Sequence, residues 1–168
     1  MTVIRDAVET DLPAIVGIYN ATVPQRMATA DTVQVPIDSR VPWFRSHTSD
    51  RRPIWVVEAD GTIAAWLSLS SFYGRPAYHR TAELSVYVAE RYRRRGLARR
   101  LVEETVRRAP ELDVATLLGF VFAHNEPSLH LLDGLGFSRW GHLPRVAELD
   151  GVERDLLILG RRVDGRSV

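Results

Sequence analysis

The segment of this 168-residue chain richest in usable chemistry is Arg93-Arg94-Arg95-Gly96-Leu97-Ala98-Arg99, which leads into an amphipathic helical pattern. Main-chain N–H groups at a helix start lack partners within the helix and carry the positive end of its dipole. They favour an anion, and neighbouring arginines strengthen the site with forked donors. Gly96 lets a phosphate approach the backbone where a Cβ would block it, and Ala98 keeps the first turn slim. The segment reads as a diphosphate cradle, yet it is neither G-x-x-x-x-G-K-[ST] nor G-x-G-x-x-G. The same run also reads as solvated arginines ahead of a helix.

Just upstream, residues 81–89 alternate as a strand. Ala82, Leu84, Val86 and Val88 point one way, and Glu83, Ser85 and Tyr87 the other. A carboxylate on a strand that ends beside the cradle could serve as a general base; the plain alternative is a surface-facing position. Asn125-Glu126-Pro127-Ser128 follows an apolar run and suits a ligand contact, a helix cap, or both. The loop after residue 70 carries Phe72, Tyr73, Gly74, Arg75 and Tyr78. These aromatics, with Trp66, could wall a small pocket. Arg75 suits a substrate carboxylate, which a guanidinium grips through two donors, or a loop-anchoring ion pair. Of the five histidines, His124 and His130 lie nearest, but no H-x-x-x-H spacing exists, and no metal is expected.

Composition narrows the chemistry further. The 22 basic residues are all arginine and face 21 acidic ones, a formal net charge of +1. That balance supplies no global attraction to nucleic acid or an anionic membrane. Without lysine, a Schiff base and a P-loop lysine are both impossible. Without cysteine, so are disulfides, thiolate metal sites and thiol nucleophiles. No apolar run approaches the roughly 20 residues of a membrane span. The first residues become charged within five positions and lack a signal-peptide core, so a cytoplasmic location is expected.

The elements that must position these groups read in the order β-α-α-β-β-β-α-β-α-β-β. A strand at 2–5 precedes a helix opened by Thr10-Asp11-Leu12-Pro13, whose apolar residues recur to Val23. A loop at 24–37 and a second helix at 38–48 follow. Strands at 54–58 and 62–70 form a hairpin through Asp60-Gly61. Strand 81–89, a helix from 97 to 109, an apolar strand at 114–121 and a short helix at 125–132 come next. Strands at 137–143 and 154–160 close the chain. Residues 1–163 are expected to form one domain, with 164–168 as a tail.

Taken together, these blocks resemble the GNAT acetyltransferase superfamily across nearly the whole chain. Its signature, Gln/Arg-x-x-Gly-x-Gly/Ala, matches Arg93 to Ala98 between a strand and a helix. Ile18-Tyr19-Asn20, Thr29-Ala30-Asp31-Thr32, Phe72 to Tyr78, Ala82 to Val88, His124 to Ser128, Gly136-Phe137 and Ala147 to Gly151 extend the likeness. They point to the phosphinothricin and methionine sulfoximine N-acetyltransferase branch. The resemblance implies an α/β fold, with a mixed, mostly antiparallel sheet splayed between two parallel strands and flanked by helices. It implies acetyl-CoA as donor, with pantetheine along Val86, Tyr87 and Val88 and the diphosphate on Arg94 to Arg99. Asn125 and Ser128 would touch the pantetheine arm or the acetyl end. It also implies a homodimer.

Two positions depart from the branch. Gly134 stands where lysine is frequent, and Leu132 where many relatives place a tyrosine acid. A thiol has a pKa of about 8.5, so a thiolate leaves without strong acid help, and no general acid is assigned. The implied reaction is attack of an amine on the thioester, with Glu83 as base and a main-chain N–H near Tyr87 or Val88 for the oxyanion. Phe72, Tyr73, Gly74, Arg75, Tyr78, Ser85 and Asn125 would bind the amine substrate. A polyamine, antibiotic or protein N-terminus as acceptor, and a non-catalytic acyl-CoA sensor, are the alternatives.

Overall fold

A computed structural model describes residues 2–165. Seven strands form one sheet in the order β1-β2-β3-β4-β5-β7-β6. They are β1 (Thr2–Asp6), β2 (Ile54–Ala59), β3 (Thr62–Ser71), β4 (Thr81–Val88), β5 (Thr116–Phe122), β6 (Ser138–Leu149) and β7 (Val152–Arg162). The helices are α1 (Leu12–Asn20), α2 (Val41–Arg45), α3 (Leu97–Arg108) and α4 (Glu126–Asp133). The order of elements is the one expected from sequence. Every strand pair is antiparallel except β4 with β5.

The alternation along β4 separates two cores. Ala82 and Leu84 pack with Leu97, Leu101 and Val102 of α3. Tyr87, on the opposite face, packs with Ile15 and Ile18 of α1 and with Trp66 of β3. The sheet is therefore covered on both faces, and β4 carries one face toward each layer.

Several boundaries differ from the sequence reading, each for a local reason. The helix expected at 38–48 is a 3-10 turn at Ile37–Arg40 followed by the five-residue α2. Pro42 has no N–H to continue an upstream ladder, so a new helix can only begin around it. The helix expected to reach Val23 ends at Asn20, and a 3-10 turn takes Val23–Gln25. The strand expected at 114 starts at Thr116, because Val114 N–H is drawn back to the Ala109 carbonyl (2.9 Å). The last two strands are longer than expected and form a hairpin turned by Asp150 and Gly151, with φ of 52° and 78°. That is the left-handed pair a tight Asp-Gly hairpin demands. Of the expected tail, residues 166–168 lie outside the described residues. No helix among the described residues is long and apolar enough to cross a membrane.

Candidate active site

The parallel ladder between β4 and β5 has only three rungs, Thr81–Thr116, Ala82–Leu117 and Glu83–Leu118. Beyond Glu83 the strands part, while β4 stays paired to β3 and β5 to β7. The edge of β4 from Leu84 to Val88 that faces β5 is thus left without ladder partners, and exposed strand edges accept extended chains. A cleft fills the gap in two adjoining parts, of about 410 and 650 Å³. Val86, Tyr87, Asn125 and Ser128 line both parts.

One end of the cleft is lined by the segment expected to cradle a diphosphate. Gly96 precedes α3 with φ of 76°, and Arg94 is also left-handed at 60°. Arg100 N–H is bonded to the Gly96 carbonyl (3.0 Å), the first i→i−4 bond of the helix. The N–H groups of Leu97, Ala98 and Arg99 ahead of it are the orphan donors of a helix start. A Cβ built on Gly96 meets nothing within 4 Å, so the space above it is free for a ligand. Arg93, Arg94, Gly96, Leu97, Ala98 and Arg99 line this end with Val88. Arg95 does not; its guanidinium lies over the Tyr92 ring, 5.3 Å from the centroid.

Arg99 also reaches Gly134. A Cβ at Gly134 would stand 3.1 Å from Arg99 Nη2 and 3.2 Å from the His130 carbonyl oxygen. A guanidinium from α3 therefore sits beside the place where the resemblance leads one to expect a lysine. Leu132, where the resemblance leads one to expect a tyrosine, is buried, and its Cδ1 lies 3.0 Å from a Cβ built on Gly119 of β5. The glycine makes room for the leucine, and no phenol stands there.

At the other end is Glu83. It is partly buried, lines the cleft with Ser85, and has no hydrogen-bond or salt-bridge partner among the described residues. Burial raises its pKa above the usual glutamate value. Desolvation disfavours the charged form, which brings the group closer to the neutral range a base needs. Burial likewise raises the Tyr87 phenol, which stays protonated.

The structure divides the expected substrate residues. Glu83, Ser85 and Asn125 line the cleft. Phe72, Tyr73, Gly74, Arg75 and Tyr78 do not; they form a largely exposed loop in which Phe72 meets Tyr73 (4.3 Å between centroids) and Tyr78 (5.4 Å). Phe72 also stacks at 6.5 Å on Phe120, which does line the cleft, so the loop adjoins its mouth. No hydrogen bond or ion pair engages the Arg75 guanidinium among the described residues, which removes the loop-anchoring reading.

Asn125 makes the helix cap that its position allowed, and is tied to a distant loop as well. Its Oδ1 accepts from Ser128 N–H (3.3 Å), capping α4, and its Nδ2 donates to the Met27 carbonyl (3.1 Å). His124 Nε2 donates to the Arg26 carbonyl (2.8 Å), and Arg26 grips Asp150 at the hairpin tip (2.9 and 3.1 Å). These bonds hold Met27 and Ala28 against both parts of the cleft. The segment lies in the loop expected at 24–37, and a fixed irregular loop has no period by which its anchors could be detected.

Residues 16–137 match the model of the acetyltransferase (GNAT) family. The chain is 47% identical over 161 residues to "Putative phosphinothricin acetyltransferase YwnH" of Bacillus subtilis (strain 168), covering 95% of this chain and 98% of that one. It is 30% identical to an L-methionine sulfoximine/L-methionine sulfone acetyltransferase of Pseudomonas paraeruginosa, covering 96% of this chain and 94% of the relative. Among solved structures, a GNAT superfamily phosphinothricin acetyltransferase from Sinorhizobium meliloti in complex with AcCoA superposes with a TM-score of 0.90. It is 25% identical and covers 96% of this chain and 88% of that one.

Proposed function

The chain belongs to the acetyltransferase (GNAT) family, and on that premise we propose that it acetylates the α-amine of a small amino acid analogue of the phosphinothricin or methionine sulfoximine kind. The observation that carries this reading is a single cleft with a helix-start anion cradle at one end and an unpartnered, partly buried glutamate at the other.

Acetyl-CoA supplies the acetyl group as a thioester. The N–H groups of Leu97, Ala98 and Arg99, with Arg93, Arg94 and the Arg99 guanidinium, hold its diphosphate; the open edge of β4 takes the pantetheine arm. Arg75 binds the substrate carboxylate at the cleft mouth. Glu83 removes a proton from the incoming ammonium, directly or through a water, and frees the lone pair. Nitrogen then bonds to the carbonyl carbon as the carbon–sulfur bond breaks, and a main-chain N–H near Tyr87 or Val88 holds the charge developing on oxygen. Sulfur leaves as the thiolate, which at a pKa of about 8.5 is a tolerable leaving group without an acid, and the second proton of the acylated nitrogen passes to it or to solvent, leaving the neutral amide and the CoA thiol.

We place the enzyme in the cytoplasm as a homodimer. Trp140, Leu143 and Val146 on the edge strand β6 are exposed, which supports a second copy there; light scattering on the purified chain tests it. The activity is tested by free-thiol release from acetyl-CoA against phosphinothricin, methionine sulfoximine, a polyamine and a peptide N-terminus. Turnover confined to the amino acid analogues is expected. Turnover of the polyamine or peptide alone would reassign the acceptor, and acetyl-CoA binding without any turnover would mean a sensor.

A further inference from the structure

Arg52 stands just ahead of β2 and is buried, with 6% of its surface exposed. Arginine is almost never buried to that degree without a carboxylate beside it. Among the described residues no carboxylate pairs with this one. Nη1 donates to the carbonyl of the adjacent Arg51 (2.9 Å) and Nη2 to the carbonyl of His79 (2.7 Å). Nε is buried with no acceptor among the described residues. Burial and the Arg51 charge disfavour the charged form, and the Asp113 carboxylate offsets them only in part. A guanidinium nonetheless keeps its proton inside a protein.

A charge placed this way costs stability. An apolar side chain of similar volume in place of a buried ion is frequently neutral or stabilising. The needs of the core therefore do not account for Arg52. Its bond to a distant part of the chain does. The His79 carbonyl is 27 positions away and ends the loop that carries Arg75.

That loop is bonded mostly within itself. At its neck Phe72 N–H donates to the Thr81 carbonyl (3.4 Å), and Gly74 N–H to the Phe72 carbonyl (2.7 Å). Arg75 opens a 3-10 turn, Pro76–Tyr78. In that turn Tyr78 N–H donates to the Arg75 carbonyl (2.9 Å) and His79 N–H to the Pro76 carbonyl (3.2 Å). Its contacts to the rest of the fold include the stacking of Phe72 on Phe120. The His79 imidazole also lies 4.0 Å from Asp113, an ion pair only when the ring is protonated. The Arg52 bond fixes the carbonyl of the residue that closes the turn, and the turn carries that constraint back four residues to Arg75.

We propose that Arg52 is a positioning residue for the acceptor: its guanidinium holds the His79 carbonyl and so fixes the turn that presents Arg75 at the cleft mouth. A loop already held in its bound shape loses less conformational freedom when a ligand arrives, which strengthens binding without any new contact. Arg52 itself lines neither part of the cleft and acts only through the loop. The inference rests on the reading of Arg75 as the group that binds the substrate carboxylate.

The test measures kcat and KM for methionine sulfoximine and for its decarboxylated amine in wild type, Arg52→Met, Arg75→Ala and the double variant. Methionine keeps much of the apolar stem and removes every donor. Arg52→Met is expected to lower the preference for the amino acid over the amine fivefold or more. The loss should lie in KM for the amino acid, with kcat, KM for the amine and the dissociation constant for acetyl-CoA within about twofold of wild type. Its thermal midpoint should equal or exceed that of wild type, since an unpaired buried charge has gone. In the Arg75→Ala background Arg52→Met should change the preference no further. Should Arg52→Met fail to fold, Arg52→Gln, too short for the His79 carbonyl, is read in the same way. Loss of the fold in both would make Arg52 a stability residue and overturn the proposal. So would a folded Arg52→Met that keeps the wild-type preference, or one that raises KM for acid and amine alike, while Arg75→Ala loses the preference. An Arg75→Ala variant that keeps the preference would instead overturn the Arg75 reading, and this inference with it.

Discussion

Glu83 and Leu118 form the last rung of the parallel ladder between β4 and β5, and the cleft opens at the next residue. The proposed base is therefore fixed by strand pairing on one side and faces open space on the other. Positioned general bases are worth about 10²–10⁴-fold in rate. Glu83→Gln is expected to lower turnover at neutral pH by that order while the dissociation constant for acetyl-CoA stays within about threefold. The wild-type rate should fall on the acid side with an apparent pKa above that of a free glutamate, because burial raises this one. The variant should lack that limb, and its deficit should shrink in alkali as more amine arrives deprotonated. Steady-state rates from pH 5 to 10 decide it; a full rate at pH 7 in the variant would return Glu83 to a structural role.

The same burial makes a prediction about stability. The folded-state pKa of Glu83 is raised, so the charged carboxylate is the form the fold disfavours. The wild-type contribution is at its best below the ordinary glutamate value, about pH 4.3, and is lost as pH rises through the folded pKa. Glu83→Gln should therefore be more resistant to urea than wild type at pH 8, and the difference should vanish near pH 4. Urea midpoints at the two pH values check this; a variant less stable at pH 8 would mean that Glu83 makes a favourable contact in the fold.

How much of this was legible in the residues follows from their physics. Alternation along 81–88 put Glu83, Ser85 and Tyr87 on one face because a strand's side chains must alternate. The turn at Gly96 ahead of α3 was legible because a glycine before an amphipathic run leaves a local mark of a helix start. The hairpin at Asp150-Gly151 carried the same turn signal as Asp60-Gly61, but Pro144 and the bulge near Arg145 interrupt the β6 pattern before it. The loop from Arg26 to Ala30 owes its place to His124, Asn125 and Asp150, about a hundred positions away, and no local pattern reports such bonds. Arg75 read as a pocket residue from its aromatic neighbours, yet those rings pack on one another outside the cleft.

Gly96 tests the cradle. With φ of 76° it occupies a region β-branched residues avoid. Gly96→Val should strain the turn and place a side chain in the open space where a phosphate would sit. The dissociation constant for acetyl-CoA should rise at least tenfold, about 1.4 kcal/mol. Calorimetric titration showing wild-type affinity in a folded variant would remove the diphosphate from this turn.

Asn125 joins α4 to the Met27 loop with one amide. Asn125→Ala loses both bonds, and loss of a cap alone typically costs about 0.5–2 kcal/mol. Asn125→Asp keeps the acceptor for Ser128 N–H but cannot donate to the Met27 carbonyl. Both variants should raise KM for acetyl-CoA, since Met27 and Ala28 line the cleft. Only the alanine should lose the cap's stability in urea titration. Equal stability losses would mean that the cap contributes little and the loop anchor dominates.

Arg75 is the proposed reader of the substrate carboxylate, and its surroundings make that role testable. It sits between Gly74 and Pro76 in an extended conformation (φ −90°, ψ 147°) on an exposed loop, without a protein acceptor among the described residues. A forked, charge-assisted pair with a carboxylate is among the stronger hydrogen-bonded contacts, and loss of a charged partner costs more than loss of a neutral one. The wild-type enzyme should therefore prefer an amino acid over its decarboxylated amine by a large factor in kcat/KM. In Arg75→Ala that preference should collapse, mainly through KM for the amino acid, while KM for the decarboxylated amine stays near its original value. Arg75→Lys should recover only part of it, because an ammonium keeps the charge but loses the fork. Rates for both acceptors in the three enzymes settle the matter: an alanine variant that still prefers the carboxylate as strongly as wild type would move carboxylate recognition to another residue.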